Sequence, residues 1–170
     1  MMLAIVAVFS SAQLARAVSF TLQGQDKGSS TWSGNQISGW GELELIPFRL
    51  DVTAGPVTNQ VLTISFPRDN AGIPPIPGIQ DLYNWSTSTN MLIASGPTLT
   101  TSTGSTWVYT LTITVTNNQE ADLYFFARLA AGSHGYGGNS MKITASVGGA
   151  VGIFKPATGS GTPDLGITKT

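Results

Sequence analysis

Residues 107–116 read WVYTLTITVT. Tyr109, Leu111, Ile113 and Val115 fall on one face of this segment, and Thr110, Thr112, Thr114 and Thr116 fall on the other. Strict alternation over ten residues is the signature of a half-buried β-strand, because successive side chains of an extended chain point to opposite faces. Asn117 and Asn118 then supply turn chemistry. A second alternating run, residues 123–129, carries Leu123, Phe125, Ala127 and Leu129 on one face and Tyr124, Phe126 and Arg128 on the other. The two runs read together as an antiparallel hairpin.

Further strands are expected at residues 18–22, 41–45, 48–52, 61–66, 141–147 and 151–154. Pro47 falls within this pattern. It lacks a backbone N–H and predicts a bulge or a sheet edge. No stretch has convincing helical periodicity; residues 78–83 are the best candidate for a single turn. Many short strands divided by Gly, Pro and Asn clusters predict an all-β fold: an antiparallel β-sandwich, immunoglobulin-like or jelly-roll-like, with a barrel as the second choice.

Composition agrees. Charged residues are only 10% of the 170-residue chain, against about 25% in typical soluble domains. Strands with polar but uncharged outer faces suit this balance better than surface helices do. The net charge of −1 offers no basic patch for phosphates, which argues against a nucleic-acid partner. The chain has no cysteine, which excludes disulfides, thiolate metal sites and cysteine nucleophiles.

Residues 1–17 have the form of a secretory signal peptide. The apolar run at residues 3–9 is too short to span a bilayer, and Ala15-Arg16-Ala17 forms an A-x-A cleavage site. The mature protein is therefore expected to be secreted or displayed on the cell surface, with no membrane span. The domain proper is expected at residues 18–156. A flexible linker, ATGSGT, follows at 157–162, and a further segment at 163–170.

That last segment reads PDLGITKT. Asp164, Leu165, Ile167, Thr168, Lys169 and Thr170 resemble the opening strand of the tandem immunoglobulin-like repeats of large bacterial surface proteins, with Gly166 departing from the usual residue. The resemblance implies that the preceding residues are the N-terminal region of such a protein, cut at the start of its first repeat. It also implies an adhesive, stalk or cell-envelope role without catalysis. It carries over no binding residues.

Chemistry-bearing residues are sparse. His134 is the only histidine and lies in a glycine-rich stretch, with no G-x-S-x-G elbow in the chain. Glu42 and Glu44 are two apart and read as the polar face of a strand whose Leu43 and Leu45 point inward. Asp69, Asn70, Asp81 and Asp122 can offer oxygens to calcium, but the dense spacing of a calcium loop is absent. No catalytic residue, cofactor or metal ligand is therefore assigned. Residues 69–78, DNAGIPPIPG, read as a stiff exposed loop, of a composition that in other settings serves as a peptide ligand.

Four tryptophans remain. Trp40 and Trp107 begin expected strands and read as core. Trp32 and Trp85 lie in polar, Ser/Thr-rich segments and are the candidate ligand-binding residues, because flat aromatic faces stack on sugar rings. The leading expectation is a non-catalytic structural or adhesive head domain of a bacterial surface protein. Its partner is expected to be a cell-envelope or extracellular polysaccharide or protein. The alternative is a carbohydrate-binding module with exposed tryptophans.

Overall fold

The computed structural model describes residues 17–101 and 104–157. The signal peptide expected at 1–17, apart from Ala17, lies outside the described residues. So do the linker beyond Ala157 and the repeat-like segment at 163–170. The described chain is an antiparallel β-sandwich of two five-stranded sheets. One sheet has the order β2-β1-β3-β8-β5, and the other β10-β9-β4-β7-β6.

The strands are β1 (Phe20–Gln25), β2 (Trp32–Ser33), β3 (Leu45–Val52), β4 (Val57–Pro67), β5 (Ile79–Thr87), β6 (Met91–Thr101), β7 (Thr106–Val115), β8 (Ala121–Leu129), β9 (Ser140–Ala145) and β10 (Gly149–Phe154). Among the described residues the only helical element is one 3₁₀ turn, Ser133–Gly135. β3 pairs with β8 and β4 with β7. β3 with β8 and β4 with β7 thus form two nested pairs, one in each sheet. Such nesting is shared with jelly rolls, while β1-β3-β8-β5 facing β10-β9-β4 also has the A-B-E-D and G-F-C order of an immunoglobulin sandwich, with β6 and β7 added beside β4.

The alternation that predicts β7 is the alternation observed. Leu111, Ile113 and Val115 are buried, while the intervening threonines are only partly covered. The hairpin expected between β7 and β8 does not form. β7 pairs with β4 and β6, β8 pairs with β3 and β5, and residues 116–120 carry the chain from one sheet to the other. Alternation reports that one face is buried. It does not report whether the burying partner is a hydrogen-bonded neighbour or a facing sheet.

Other expectations shift for local reasons. Residues 78–83 form no helical turn: Ile79 opens β5, with Ile79 and Leu82 buried against the core. Residues 41–44 form a turn rather than a strand. Leu43 there takes a positive φ of 63° and is exposed, not inward. Pro47 sits within β3 in regular register with Phe126, and β1 leaves β3 at the Gly24–Phe48 pair, one residue short of it. The missing N–H is therefore placed where β3 is locally an edge, as proline requires.

The core is one cluster drawn from both inner faces, including Leu22, Ile46, Phe48, Leu50 and Phe125 from one sheet and Leu62, Ile64, Phe66, Leu111 and Ile143 from the other. A run of rings crosses it. Phe48 stacks on Phe125 (5.5 Å between centroids), Phe125 on Trp85 (4.8 Å), Trp85 tilts against Tyr109 (5.7 Å), and Tyr109 stacks on Phe66 (6.3 Å). Backbone bonds close the β1–β10 side of the sandwich. Leu22 N–H donates to the Gly148 carbonyl, Ile37 N–H donates to the Gly152 carbonyl, and Phe154 N–H donates to the Ile37 carbonyl. Gly148 has φ +95°, and a Cβ there would stand 2.7 Å from Leu50 and 3.0 Å from the Leu22 nitrogen. Only glycine allows that close approach.

Leu111→Asp buries an unpaired carboxylate and is expected to cost roughly 3 kcal/mol or more. Thr112→Asp, on the opposite face of the same strand, is expected to cost under about 1 kcal/mol. Urea unfolding of the two variants checks this, and equal losses would show the two faces to be misassigned.

Candidate functional site

The outer face of the β2-β1-β3-β8-β5 sheet follows from register. Arg49 of β3 stands opposite Gln23 of β1 and Tyr124 of β8; Pro47 stands opposite Phe126; Phe126 stands opposite Tyr83 of β5. Alternation sends Phe48, Phe125 and Ala127 inward, so their neighbours Pro47, Tyr124 and Phe126 must point outward. These outward residues are half-buried rather than exposed. Trp32, on the two-residue edge strand β2, explains the cover. Its ring lies 6.2 Å from that of Tyr124, with the Arg49 guanidinium 5.1 Å from its centroid. In a flat sheet β2 and β8, three strands apart, would lie roughly 14 Å from one another. Trp32 therefore leans back over the face and walls a trough of about 300 Å³, lined by Trp32, Pro47, Tyr124, Phe126 and Ser86.

The polar groups beside the trough are largely committed to one another. Arg49 Nε donates to Gln23 Oε1 (2.7 Å), and an Arg49 terminal nitrogen lies 3.5 Å from Asp122 Oδ1. The Tyr124 hydroxyl donates to Asp122 Oδ2 at 2.8 Å. Burial and then the bond to Asp122 push the Tyr124 phenol above its usual range. Asp51 stands directly opposite Asp122 across β3 and β8. Burial raises its carboxyl pKa, and the nearby carboxylates of Glu120 and Asp122 add to the rise. At the other end of the face the Arg128 guanidinium lies 5.2 Å from the Tyr83 ring centroid.

The second sequence candidate, Trp85, does not join Trp32. In regular alternation Trp85 would share the outer face with Tyr83. A one-residue bulge intervenes, because Tyr83 pairs with Phe126 but Ser86, not Trp85, pairs with Tyr124. Asn84 takes up the extra residue with φ 53°. The phase reverses, and Trp85 enters the inter-sheet ring stack. The expectation that both tryptophans face outward is thus corrected by a bulge that no residue pattern announces. Trp40 and Trp107 pack against the core as expected. Trp40, however, lies in a loop, with its indole N–H donating to the Gln25 carbonyl.

The structure also makes a pairing that the sequence does not suggest. His134 Nδ1 lies 2.7 Å from Glu42 Oε1, and the same oxygen accepts the His134 backbone N–H at 3.0 Å. Burial works against the Glu42 carboxylate, but the backbone N–H groups of Gly132 and His134 and the imidazole outweigh it and hold its pKa below the usual carboxylate range. Glu42 thereby pins the 131–139 loop to the turn before β3. Glu44 instead pairs with Lys27 at 2.6 Å and accepts the Gly41 N–H. The two glutamates share no face and no cleft.

The oxygens considered for calcium are likewise dispersed. Asp69 Oδ1 accepts from Ala71 N–H, and Asn70 Oδ1 accepts from the N–H groups of Gly72 and Ile76. Asp81 Oδ1 accepts the Tyr109 hydroxyl. Among the described residues no group of three or more His, Cys, Asp or Glu is placed to hold a metal ion, and no helix is long and apolar enough to cross a membrane. A second cleft, of about 370 Å³, opens where β9 diverges from β4, between Ser65, Phe66, Tyr136, Ser140 and Lys142.

Because the folded-state pKa of Glu42 is depressed, its stabilisation is complete above the ordinary carboxylate pKa and is lost as pH falls through the lowered value. Wild type is therefore expected to melt above Glu42→Gln at neutral pH, with the gap closing in acid. Melting curves from pH 7 to 3 check this; a gap that widens in acid would refute the role of the carboxylate. In sequence comparison the chain matches no protein-family model and none of the curated proteins.

Proposed function

We propose that this chain is a non-catalytic structural or adhesive head domain of a bacterial secreted or surface protein, and that its adhesive surface is the trough walled by Trp32. The observation that carries the reading is the contrast between the two tryptophans set in polar segments. Trp85 is consumed by the inter-sheet stack, whereas Trp32 stands on a two-residue edge strand and roofs an apolar trough on an outer sheet face. A large aromatic held over a groove on a rigid sheet is the form that a binding surface takes, because the ring offers much contact area for little lost side-chain freedom. The leader at residues 1–17 and the repeat-like 163–170 segment support export and attachment to a longer surface protein.

A polysaccharide of the cell envelope or its surroundings, or a surface protein, is the partner class. The carbohydrate-binding reading has its own support in the Trp32 ring beside the planar Arg49 and Gln23 side chains, which together offer a stacking face and a polar flank.

The test is retention on immobilised envelope polysaccharides and envelope proteins. Trp32→Ala is expected to lose retention at least tenfold while its melting temperature stays within a few degrees of wild type. Trp85→Ala, which empties part of the ring stack, is expected to cost about 3–5 kcal/mol of stability. Undiminished retention by a folded Trp32→Ala variant would remove the trough from the adhesive role.

A further inference from the structure

Residues 69–78 connect β4 to β5 and hold a side chain fully in solvent. Ile73 is 103% exposed, and Pro74 and Pro75 beside it are exposed as well. The loop is nevertheless built to a fixed shape. Asp69 and Pro77 form a bridge across its base, the Gly78 N–H donates to the Arg68 carbonyl at 2.7 Å, and Asn70 ties the interior through its bonds from Gly72 and Ile76. Gly135 and Gly137 of the neighbouring 131–139 loop sit so close to Ile76 and Asn70 that a Cβ on either would be 3.3 Å away. An apolar tip that is clamped at its base and covered by nothing is the inverse of what burial favours. Within this chain the trough is the matching concave surface.

From this match we infer that the Ile73-Pro74-Pro75 tip of one copy seats in the Trp32 trough of a second copy, so that the adhesive surface proposed above works head to tail between identical domains. The inference rests on the reading of the trough as an adhesive surface. Three observations favour this occupant. The trough is lined by rings and a proline, with Ser86 as its one aliphatic hydroxyl and the Tyr124 hydroxyl already donating to Asp122, so its lining suits an apolar tip. About 300 Å³ accepts a branched aliphatic side chain with a flanking proline ring. Neither surface presents an unbalanced charge to the other. Arg49 is paired, Asp69 turns back onto the Ala71 N–H, and Arg68 lies 4.0 Å from the Trp107 ring centroid.

The stiffness of the tip also counts. Proline fixes its own φ and isoleucine is restricted at χ1, so little freedom is lost on docking. The loop lies at the end of the sandwich, held against the 131–139 loop, and the trough lies on a sheet face, so each is offered to a neighbour. A contact between two different patches is heterologous and propagates from copy to copy. One such contact is small and weak, but domains arrayed on a surface meet through many at once. The long β6 edge is a poorer route to association: Pro97 and three register shifts against β7 interrupt it.

The test uses two variants that each destroy one half of the contact. Ile73→Asp charges the tip and leaves the trough whole; Trp32→Ala unroofs the trough and leaves the tip whole. In sedimentation velocity up to millimolar protein, the wild-type sedimentation coefficient is expected to rise with concentration, while each variant alone stays at the monomer value. An equimolar mixture of the two is expected to form complexes of two chains and no larger, because each chain keeps one working surface. If Trp32→Ala melts early, Phe126→Ser on the trough floor replaces it. Self-association is overturned by a wild type that stays monomeric, by either folded variant associating like wild type, or by a mixture that stays monomeric. A monomeric wild type that still binds an envelope polysaccharide or protein through Trp32 overturns the inference and leaves the adhesive reading standing; a wild type that does neither overturns both.

Discussion

The two sheets are held face to face by a continuous run of rings: Phe48, Phe125 and Trp85 from one sheet, then Tyr109, Phe66 and Trp107 from the other. A chain with no cysteine has no covalent tie between its layers, so this stack and the aliphatic residues around it must resist separation. The run ends on the Arg68 guanidinium over Trp107, at the base of the loop that carries Ile73. The same packing that joins the sheets thus anchors one of the surfaces on which the functional reading depends.

Trp85 is the hinge of this arrangement. It comes from β5, at the edge of its sheet, and touches rings from both layers. It reaches them only because the bulge at Asn84 reverses the phase of β5. The same reversal puts Ser86 on the outer face, where it lines the trough in place of an indole. One inserted residue therefore moves a ring from the surface to the core and leaves the open space beside Trp32. Bulges re-aim side chains in this way elsewhere in sheet proteins.

Polar interactions serve mainly to fix loops. Glu42 pins the 131–139 loop, Asn70 ties the 69–78 loop, and Asp26 accepts the Ser38 N–H and hydroxyl after the β1–β2 connection. Each is a carboxylate or amide oxygen meeting backbone N–H groups that no ladder satisfies. Acidic and amide residues scattered along the sequence without catalytic spacing acquire a reason through these bonds. They hold the ends of the sandwich still.

The fold class, the inner and outer faces of β7 and β8, and the packing of Trp107 against the core were legible in the sequence, because period-two alternation and turn residues act over a few neighbouring positions. The sequence left open which strands pair, since a buried face looks the same whether a neighbour or a facing sheet covers it, and so β7 and β8 read as a hairpin. It also left open which tryptophan faces outward, because a bulge has no composition of its own. The meeting of Glu42 with His134, ninety-two positions apart, was beyond any local pattern. All three were settled by the folded chain. Each depends on contacts between distant segments, whose geometry is set when the two sheets close on a common core.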